Sequence, residues 1–396
     1  MTSYLVRSLL FILASALFSL ALLGCEKSST SGQSSSNDLI VRIGASAPLT
    51  GPQAHIGKDN ESGTRMAIDD ANAKGIIISG HKVHFELISE DDQADPKTAT
   101  IVAQKLVDNK VSGVIGHLNS GTSIPAAKIY SDNGIPQISP SATAVAYTTQ
   151  GFKTAFRVMA NDAQQGRVLG EYATRKLAAQ KIAVIDDRTG YGQGLADEFV
   201  KSAQANGAQI VAREYTNDKA YDFTAVLTAV KGKQPDLLFY AGMDPQAGPM
   251  AKQLKALGMH LKFMMGDGGY TPQFIKLAGD AAEGSYASLP GVPLDKMPGG
   301  KEFERRFVAK YQPIQLYAPY CYDAVNVMIA AMQKADSVEP AKYLPALATV
   351  TYDGVTAKIQ FDEKGDLKGG AITVYQVQQG KWQPLETLGE SAATAP

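Results

Sequence analysis

The sequence carries almost no net charge. Its 396 residues include 38 Lys and Arg against 39 Asp and Glu, a formal net charge of −1. Proteins that bind nucleic acids or anionic membrane surfaces usually carry a clear excess of positive charge. The balance therefore argues against either as the main partner. Hydrophobic residues make up 44% of the chain, enough for sizeable cores in about two ordinary domains.

The sequence also lacks the motifs of common enzymes. It has no Walker loop and no Gly-x-Ser-x-Gly elbow, and the run Gly190–Gly194 lacks the third glycine of a dinucleotide-binding fingerprint. Its five histidines show no metal-binding spacing, and we interpret His117 as a structural hydrogen-bonding residue. The sequence thus predicts a protein that is not an enzyme and that has neither a cofactor nor a metal site.

Only two cysteines are present, and the first follows an apolar N-terminal run from Leu9 to Leu23 that is preceded by the single charge of Arg7. This is the pattern of a secretory signal, and about 15 apolar residues are few for a membrane span. The sequence Leu-Leu-Gly-Cys ending at Cys25 resembles the lipobox of bacterial lipoproteins, which implies cleavage before Cys25 and lipid attachment to its thiol. An ordinary signal with a stray cysteine and an uncleaved anchor are the alternatives. Cys321 precedes a helical apolar pattern and is predicted to be a buried core residue.

We therefore assign residues 1–24 to a lipoprotein signal peptide and the Ser- and Gly-rich residues 25–37 to a flexible tether. Beyond it, short apolar runs alternate with helical patterns, which predicts parallel sheets covered by helices. Two hydroxyl-rich turns, 117–123 and 139–143, each follow a short predicted strand. Open α/β sheets bind ligands at the carboxyl ends of such strands. The pattern restarts after Ala160, which indicates two lobes of similar build.

Several short motifs then carry a resemblance to a known family. They are Asn72-Ala-Lys-Gly, Asp91-Asp-Gln-Ala-Asp-Pro, Val114-Ile-Gly-His-Leu, Ile138-Ser-Pro-Ser-Ala-Thr, Tyr191-Gly-Gln-Gly-Leu-Ala, Gly279-Asp-Ala-Ala-Glu-Gly and Asp362-Glu-Lys-Gly-Asp-Leu-Lys-Gly. In this order and spacing the chain resembles the periplasmic leucine/isoleucine/valine-binding proteins of ABC importers. The resemblance implies a type I periplasmic-binding fold, an α/β fold of two doubly wound parallel-sheet lobes joined by three crossovers. Lobe 1 would comprise residues 38–160 and 290–368, and lobe 2 residues 161–289 and 369–396.

The resemblance also implies a ligand site in the cleft between the lobes. Hydroxyls and main-chain N–H groups of lobe 1 would hold a carboxylate, Asp267 would pair with an ammonium group, and Tyr191 would cover the ligand side chain. Met243 and Ile56 replace aromatic residues of the family, and His55 and Asp244 are their neighbours. The predicted ligand-binding residues are Ser120, Ser141, Ala142, Thr143, Tyr191, Met243, Asp267 and Ile56.

Each of these residues also has a structural interpretation that the sequence leaves open. Ser120 could cap a helix, Ser141 and Thr143 could be ordinary turn residues, and Asp267 could be a solvated loop acid. The family's disulfide positions in lobe 1 fall on Ala94 and Asn119, so that bridge is absent.

The predicted function is the extracytoplasmic solute-binding subunit of an ABC importer, lipid-anchored to a membrane through Cys25. The expected ligand is an amino acid, most of all one of the aliphatic or branched-chain type. The protein would bind it by hinge closure and deliver it to the permease subunits. A monomer is expected, with no nucleic acid as partner. The alternatives are a binding protein for a small carboxylate or amide without an ammonium group, and a ligand-sensing subunit of a membrane receptor.

Overall fold

Two sheets, each covered by helices, organise residues 38–389, the part of the chain that the computed structural model describes. The predicted signal peptide, Cys25 and the tether lie outside the described residues, as do residues 390–396. Within residues 38–389 no helix is both long and apolar enough to cross a membrane.

The first sheet defines lobe 1 and has six strands in the order β2-β3-β1-β4-β5-β6. All neighbours are parallel except β2 and β3. The strands are β1 Leu39–Ala47, β2 Ile77–Ile78, β3 His81–Asp91, β4 Gly113–Gly116, β5 Gln137–Ser139 and β6 Ala155–Arg157.

The second sheet defines lobe 2 and has seven strands in the order β15-β14-β11-β10-β9-β7-β8. Five of them are parallel, and β14 and β15 add an antiparallel edge. The strands are β7 Lys181–Asp186, β8 Gln209–Tyr215, β9 Leu237–Ala241, β10 Lys262–Met265 and β11 Tyr286–Pro290, then the separate ribbon β12 Tyr352–Asp353 and β13 Lys358–Ile359, and finally β14 Ile372–Gln378 and β15 Lys381–Leu388.

Eleven α-helices cover the sheets in the described part of the chain. They are α1 Ala54–Lys74, α2 Pro96–Asp108, α3 Ser120–Asp132, α4 Asp162–Glu171, α5 Gly190–Ala205, α6 Thr224–Lys231, α7 Asp244–Ala256, α8 Pro272–Ala278, α9 Gly300–Val308, α10 Ala318–Lys334 and α11 Pro340–Ala348. Helices α1 to α3 and α9 to α11 belong to lobe 1, and α4 to α8 belong to lobe 2.

Local sequence chemistry explains where the helices near the cleft begin. The Asp95 carboxylate accepts the Thr98 N–H at the start of α2, the Asn161 side chain and Gln164 form a capping box on α4, and the Thr189 hydroxyl accepts the Gly192 N–H on α5. These caps begin helices a few residues after strand ends. Helices α3 and α7 have no side-chain cap and begin at Ser120 and Asp244, directly after the turns that follow β4 and β9.

The predicted fold class is confirmed, and the structure adds strands that the sequence pattern did not indicate. Strand β6 has three residues, too few to show a periodic pattern. Strand β15 is polar and contains Pro384, and only its pairing with β14 makes it a strand. The predictions for Cys321 and His117 are confirmed, since Cys321 is buried and His117 is hydrogen-bonded to Asp92 and Tyr130 inside lobe 1.

Candidate ligand-binding cleft

The first turns of α3 and α5 bring the two lobes into close contact. A Cβ atom added to Gly190 of lobe 2 would lie 3.2 Å from the Cα atom of Gly121 of lobe 1. A Cβ atom on Gly194 would lie 3.9 Å from that of Ala144, the residue after Thr143. The structure therefore holds the cleft closed. Glycine at position 190 permits this approach because a larger side chain would meet the backbone of α3.

The lobe 1 wall of the cleft consists of four buried residues from two strand-end turns. Ser120 is the first residue of α3, and its hydroxyl accepts the Ala144 N–H at 3.1 Å. The Ser141 hydroxyl donates to the Leu118 carbonyl at 2.9 Å, which joins the two turns. Asn119 occupies the N-cap position of α3, so the alternative of Ser120 as a helix cap is wrong.

Thr143 has the hydroxyl of this wall that is not bonded to the backbone. Its Oγ1 atom is buried and faces the Asp162 carboxyl group, whose pKa it lowers. Ala142 offers little beyond its backbone, and its carbonyl accepts from the buried guanidinium of Arg157 at 2.7 Å. Because Ser120 and Ser141 are already bonded to the backbone, Thr143 is the hydroxyl of this wall that a ligand could contact.

The lobe 2 wall is centred on Asp267, in a short 3-10 helix, Asp267–Gly269, that follows β10. Its Oδ1 atom accepts from the Tyr191 hydroxyl at 2.8 Å and from the Gln165 amide at 3.0 Å. Its Oδ2 atom accepts from the hydroxyl of Tyr317, a lobe 1 residue, at 2.6 Å. Asp267 is 1% exposed, so the alternative of a solvated loop acid is wrong.

The donors around Asp267 are all neutral, and in residues 38–389 no Lys, Arg or His forms an ion pair with it. Burial raises the pKa of Asp267, against the hydrogen bonds from Tyr317, Gln165 and Tyr191, which lower it. Burial, followed by the charge of Asp267, also holds the pKa of the Tyr317 hydroxyl well above its ordinary value. The tyrosine therefore remains a proton donor to the carboxylate.

A second buried carboxyl group, that of Asp162 at the start of α4, lies close to Asp267. Its N–H donates to the Thr143 carbonyl at 2.8 Å, and its Oδ1 atom accepts from Gln165 at 3.2 Å. Burial and then the negative charge of Asp267 raise the pKa of Asp162 to about 7. Its Oδ2 atom is buried and has no partner among the described residues. Two neighbouring carboxyl groups thus give this end of the cleft a negative potential.

The remaining wall is apolar. Ile56 is fully buried and belongs to the same continuous cluster of buried apolar side chains as Tyr191, Met243 and Tyr317. The Met243 sulfur would lie 2.7 Å from a Cβ atom on Gly268, and the Tyr191 ring would lie 3.1 Å from it. A residue larger than glycine at position 268 would therefore displace both side chains. Methionine gives this wall an adaptable apolar surface.

The structure thus places the predicted lobe 1 residues on one wall and Tyr191, Met243 and Asp267 on the other. Sequence reasoning missed Asp162, Gln165 and Tyr317. Asp162 and Gln165 stand at i and i+3 directly after a predicted crossover, a spacing that puts both on one helix face. Tyr317 lies 50 residues from Asp267 and gave no local signal. In the described part of the chain no group of His, Cys, Asp or Glu side chains could hold a metal ion.

Comparison with known proteins agrees with this geometry. The periplasmic binding protein family matches residues 40–381. A leucine-, isoleucine-, valine-, threonine- and alanine-binding protein of Pseudomonas aeruginosa is 34% identical over 337 residues, which cover 85% of this chain and 89% of that protein. A solved structure of the branched-chain amino acid substrate-binding protein LivJ from Streptococcus pneumoniae, in complex with isoleucine, superposes with a TM-score of 0.81 at 28% identity. It covers 89% of this chain and 100% of that one.

A leucine-binding protein, LivK, from Thermotoga maritima also superposes with a TM-score of 0.81, at 26% identity over 88% of this chain and 98% of that one. The two-sheet architecture and these matches agree with one another. The chain belongs to the periplasmic binding protein family and is similar to its branched-chain amino acid-binding members.

Proposed function

We propose that this protein is the solute-binding subunit of an ABC importer and that it binds an α-amino acid in the cleft. The observation that carries the proposal is the Asp267 carboxyl group, buried at the junction of the lobes among neutral donors and beside Asp162. A buried carboxylate without a cation is costly. The ammonium group of a bound amino acid would neutralise this charge and donate hydrogen bonds to the carboxylate.

The opposite wall suits the carboxylate of the same ligand. Thr143 would offer its hydroxyl, and Ser120 and Ser141 hold the two turns in place through hydrogen bonds to the backbone. These groups would bind an anion without a buried cation. Ile56 and Met243, which are buried in one continuous apolar cluster with Tyr191, would contact the ligand side chain and favour an aliphatic or branched-chain type. The names of the relatives support the same ligand class.

Binding would proceed by closure of the lobes. The ligand would bind first to the lobe 1 wall, and closure would then bring Asp267 and Tyr191 onto it. The hydrogen bond from Tyr317 to Asp267 joins the lobes and forms only in the closed state. A ligand favours the closed state to the extent that it makes contacts there alone.

The remaining parts of the proposal concern the surroundings of the protein. Lobe 1 would comprise residues 38–160 and 290–368, and lobe 2 residues 161–289 and 369–396, with the crossovers acting as the hinge. A lipid on Cys25 would anchor a monomeric protein on the outer side of a membrane, and the permease subunits would recognise the closed shape.

The test compares two ligands that differ in one group. L-leucine and its 2-hydroxy analogue share the carboxylate and the side chain, but the analogue has no ammonium group. Isothermal titration of the protein expressed from Asp38 onward, the compact unit that contains every described element, should show binding of leucine and about a hundredfold weaker binding of the analogue.

Asp267→Asn should remove that preference, since the amide cannot neutralise an ammonium group. Asp323→Asn is the matched control. Asp323 is also a buried carboxyl group with a pKa raised by burial, to about 6, but it bonds Val355 and Thr356 inside lobe 1. Equal affinity of the wild-type protein for both ligands would reject the ammonium site and favour a binding protein for carboxylates without an amine.

A further inference from the structure

One ion pair crosses from lobe 1 to lobe 2 at the edge of the cleft. The Nε2 atom of His55, in the first turn of α1, lies 2.7 Å from the Oδ2 atom of Asp244, the first residue of α7. The two residues are 189 positions apart in the chain. Helix α1 packs on the first sheet and α7 belongs to the second lobe, so this contact exists only while the cleft is closed.

The Asp244 side chain is held ready for this contact by its own lobe. It is 0% exposed, and its Oδ2 atom also accepts from the Thr271 hydroxyl at 2.6 Å. It stands at the N-terminus of α7, where the helix dipole is positive. Its Oδ1 atom has no partner among residues 38–389. Opening of the cleft would leave this carboxylate without the imidazole.

The His55 side chain is 21% exposed. It lines a surface pocket together with Lys58 and Asp59 of its own helix and with Gln312 and Gln315 of the segment after α9. Asp59 accepts from backbone N–H groups of residues 315–318. The contact from lobe 2 to the imidazole is made by Asp244.

A second pair of the same chemistry lies inside lobe 1 and provides a contrast. His117 Nδ1 and Asp92 Oδ2 are also 2.7 Å apart, but both side chains are 0% exposed and both lie in one lobe. Closure of the cleft neither forms nor breaks that pair. The His117–Asp92 pair therefore stabilises one lobe, whereas the His55–Asp244 pair joins the two lobes.

We propose that the His55–Asp244 pair is a bridge that holds the cleft closed. The bridge joins a side chain of lobe 1 to a side chain of lobe 2, so its loss should favour the open state. The proposal concerns closure and does not depend on which ligand the cleft binds.

The direct test measures closure without ligand. Single cysteines replacing Ile101 on α2 and Lys201 on α5, both exposed, accept spin labels on either side of the cleft, and Cys321 is buried. Pulsed electron spin resonance then gives the closed fraction of each protein. We expect His55→Ala to lower the closed fraction about fivefold relative to the wild-type protein, because an interlobe contact is lost.

Three further variants decide the origin of that loss. Asp244→Ala should lower the closed fraction as well, and the double variant of His55 and Asp244 should lower it no further than either single variant. His117→Gln, the matched control inside lobe 1, should keep the wild-type closed fraction. A wild-type closed fraction in His55→Ala, or an additive loss in the double variant, would overturn the proposal.

A second measurement uses L-leucine as the probe. His55→Ala should release it about fivefold to tenfold faster than the wild-type protein, because an interlobe contact is lost from the closed state. His117→Gln should release it at the wild-type rate. If L-leucine does not bind at all, the proposed ligand class is wrong. The measurement of closure without ligand still tests whether the His55–Asp244 pair holds the cleft closed.

Discussion

The two walls of the cleft hold their polar groups in different ways. On the lobe 1 wall the hydroxyls of Ser120 and Ser141 are bonded to backbone atoms 24 and 23 residues away, within the same lobe. On the lobe 2 wall the carboxyl groups of Asp267 and Asp244 are bonded to side chains of the other lobe. The serine hydroxyls of the lobe 1 wall are therefore satisfied within their own lobe, whereas Asp267 and Asp244 each make one of their contacts across the cleft.

The difference concerns energy as well as geometry. Hydroxyls that are already bonded to the backbone cost little when the cleft closes. Burying charged carboxyl groups on the lobe 2 wall costs free energy, and a bound cation offsets that cost. A protein built in this way binds its ligand weakly on one lobe and discriminates between ligands on closure.

The largest expected effect comes from Asp162 and concerns the protein without ligand. Its pKa is raised from 3.8 to about 7, so the folded state binds a proton that the unfolded state releases. The contribution of Asp162 to the free energy of unfolding should therefore be greatest below about pH 4 and fall by up to about 4 kcal/mol as the pH rises to about 7, at about 1.4 kcal/mol for each pKa unit.

Urea unfolding between these pH values measures that loss. Asp162→Asn should flatten the profile, and Asp323→Asn should reduce it less, because the pKa of Asp323 is raised only to about 6. If the pH dependence of the free energy of unfolding is unchanged in Asp162→Asn, the Asp162 carboxyl group is not its source.

The next effect tests whether closure is needed at all. Gly190→Leu places a large side chain against the backbone of α3, where even a Cβ atom would lie 3.2 Å from Gly121 Cα. Full closure should then be blocked, and affinity for L-leucine should fall about a hundredfold, since overpacking costs about 1–3 kcal/mol. Isothermal titration measures the loss, and Gly232→Leu on the surface of lobe 2 is the control. Wild-type affinity in Gly190→Leu would mean that the lobe 1 wall binds the ligand alone.

The smallest effect distinguishes the hydroxyls of the lobe 1 wall from one another. Thr143→Val removes a hydroxyl that is not bonded to the backbone and that faces the Asp162 carboxyl group. It should weaken leucine binding about tenfold, because a ligand hydrogen bond is lost, and it should lower the melting temperature less than Ser141→Ala does. Ser141→Ala should instead lower the free energy of unfolding by about 1 kcal/mol, since its bond to Leu118 is lost. The reverse pattern would assign the ligand contact to Ser141.

Much of the fold followed from local patterns. The apolar runs that became β4 and β9 are fully buried. The side chains of Asp95 and Thr189 cap α2 and α5, as their residue types favour. The short strand β6 and the polar edge strand β15 could not be predicted in this way. Their partners in the sheet, and not their own residues, make them strands.

For the site, the sequence indicated the residues that end strands, because apolar runs and hydroxyl-rich turns are local features. It determined that two turns would present hydroxyls and that Asp267 would follow a strand. Only the tertiary structure decided that Tyr317 donates to Asp267, that Asp162 lies beside it, and that His55 meets Asp244. These contacts join residues far apart in the chain and, in two cases, different lobes. They depend on how the lobes close, which no local pattern of residues encodes.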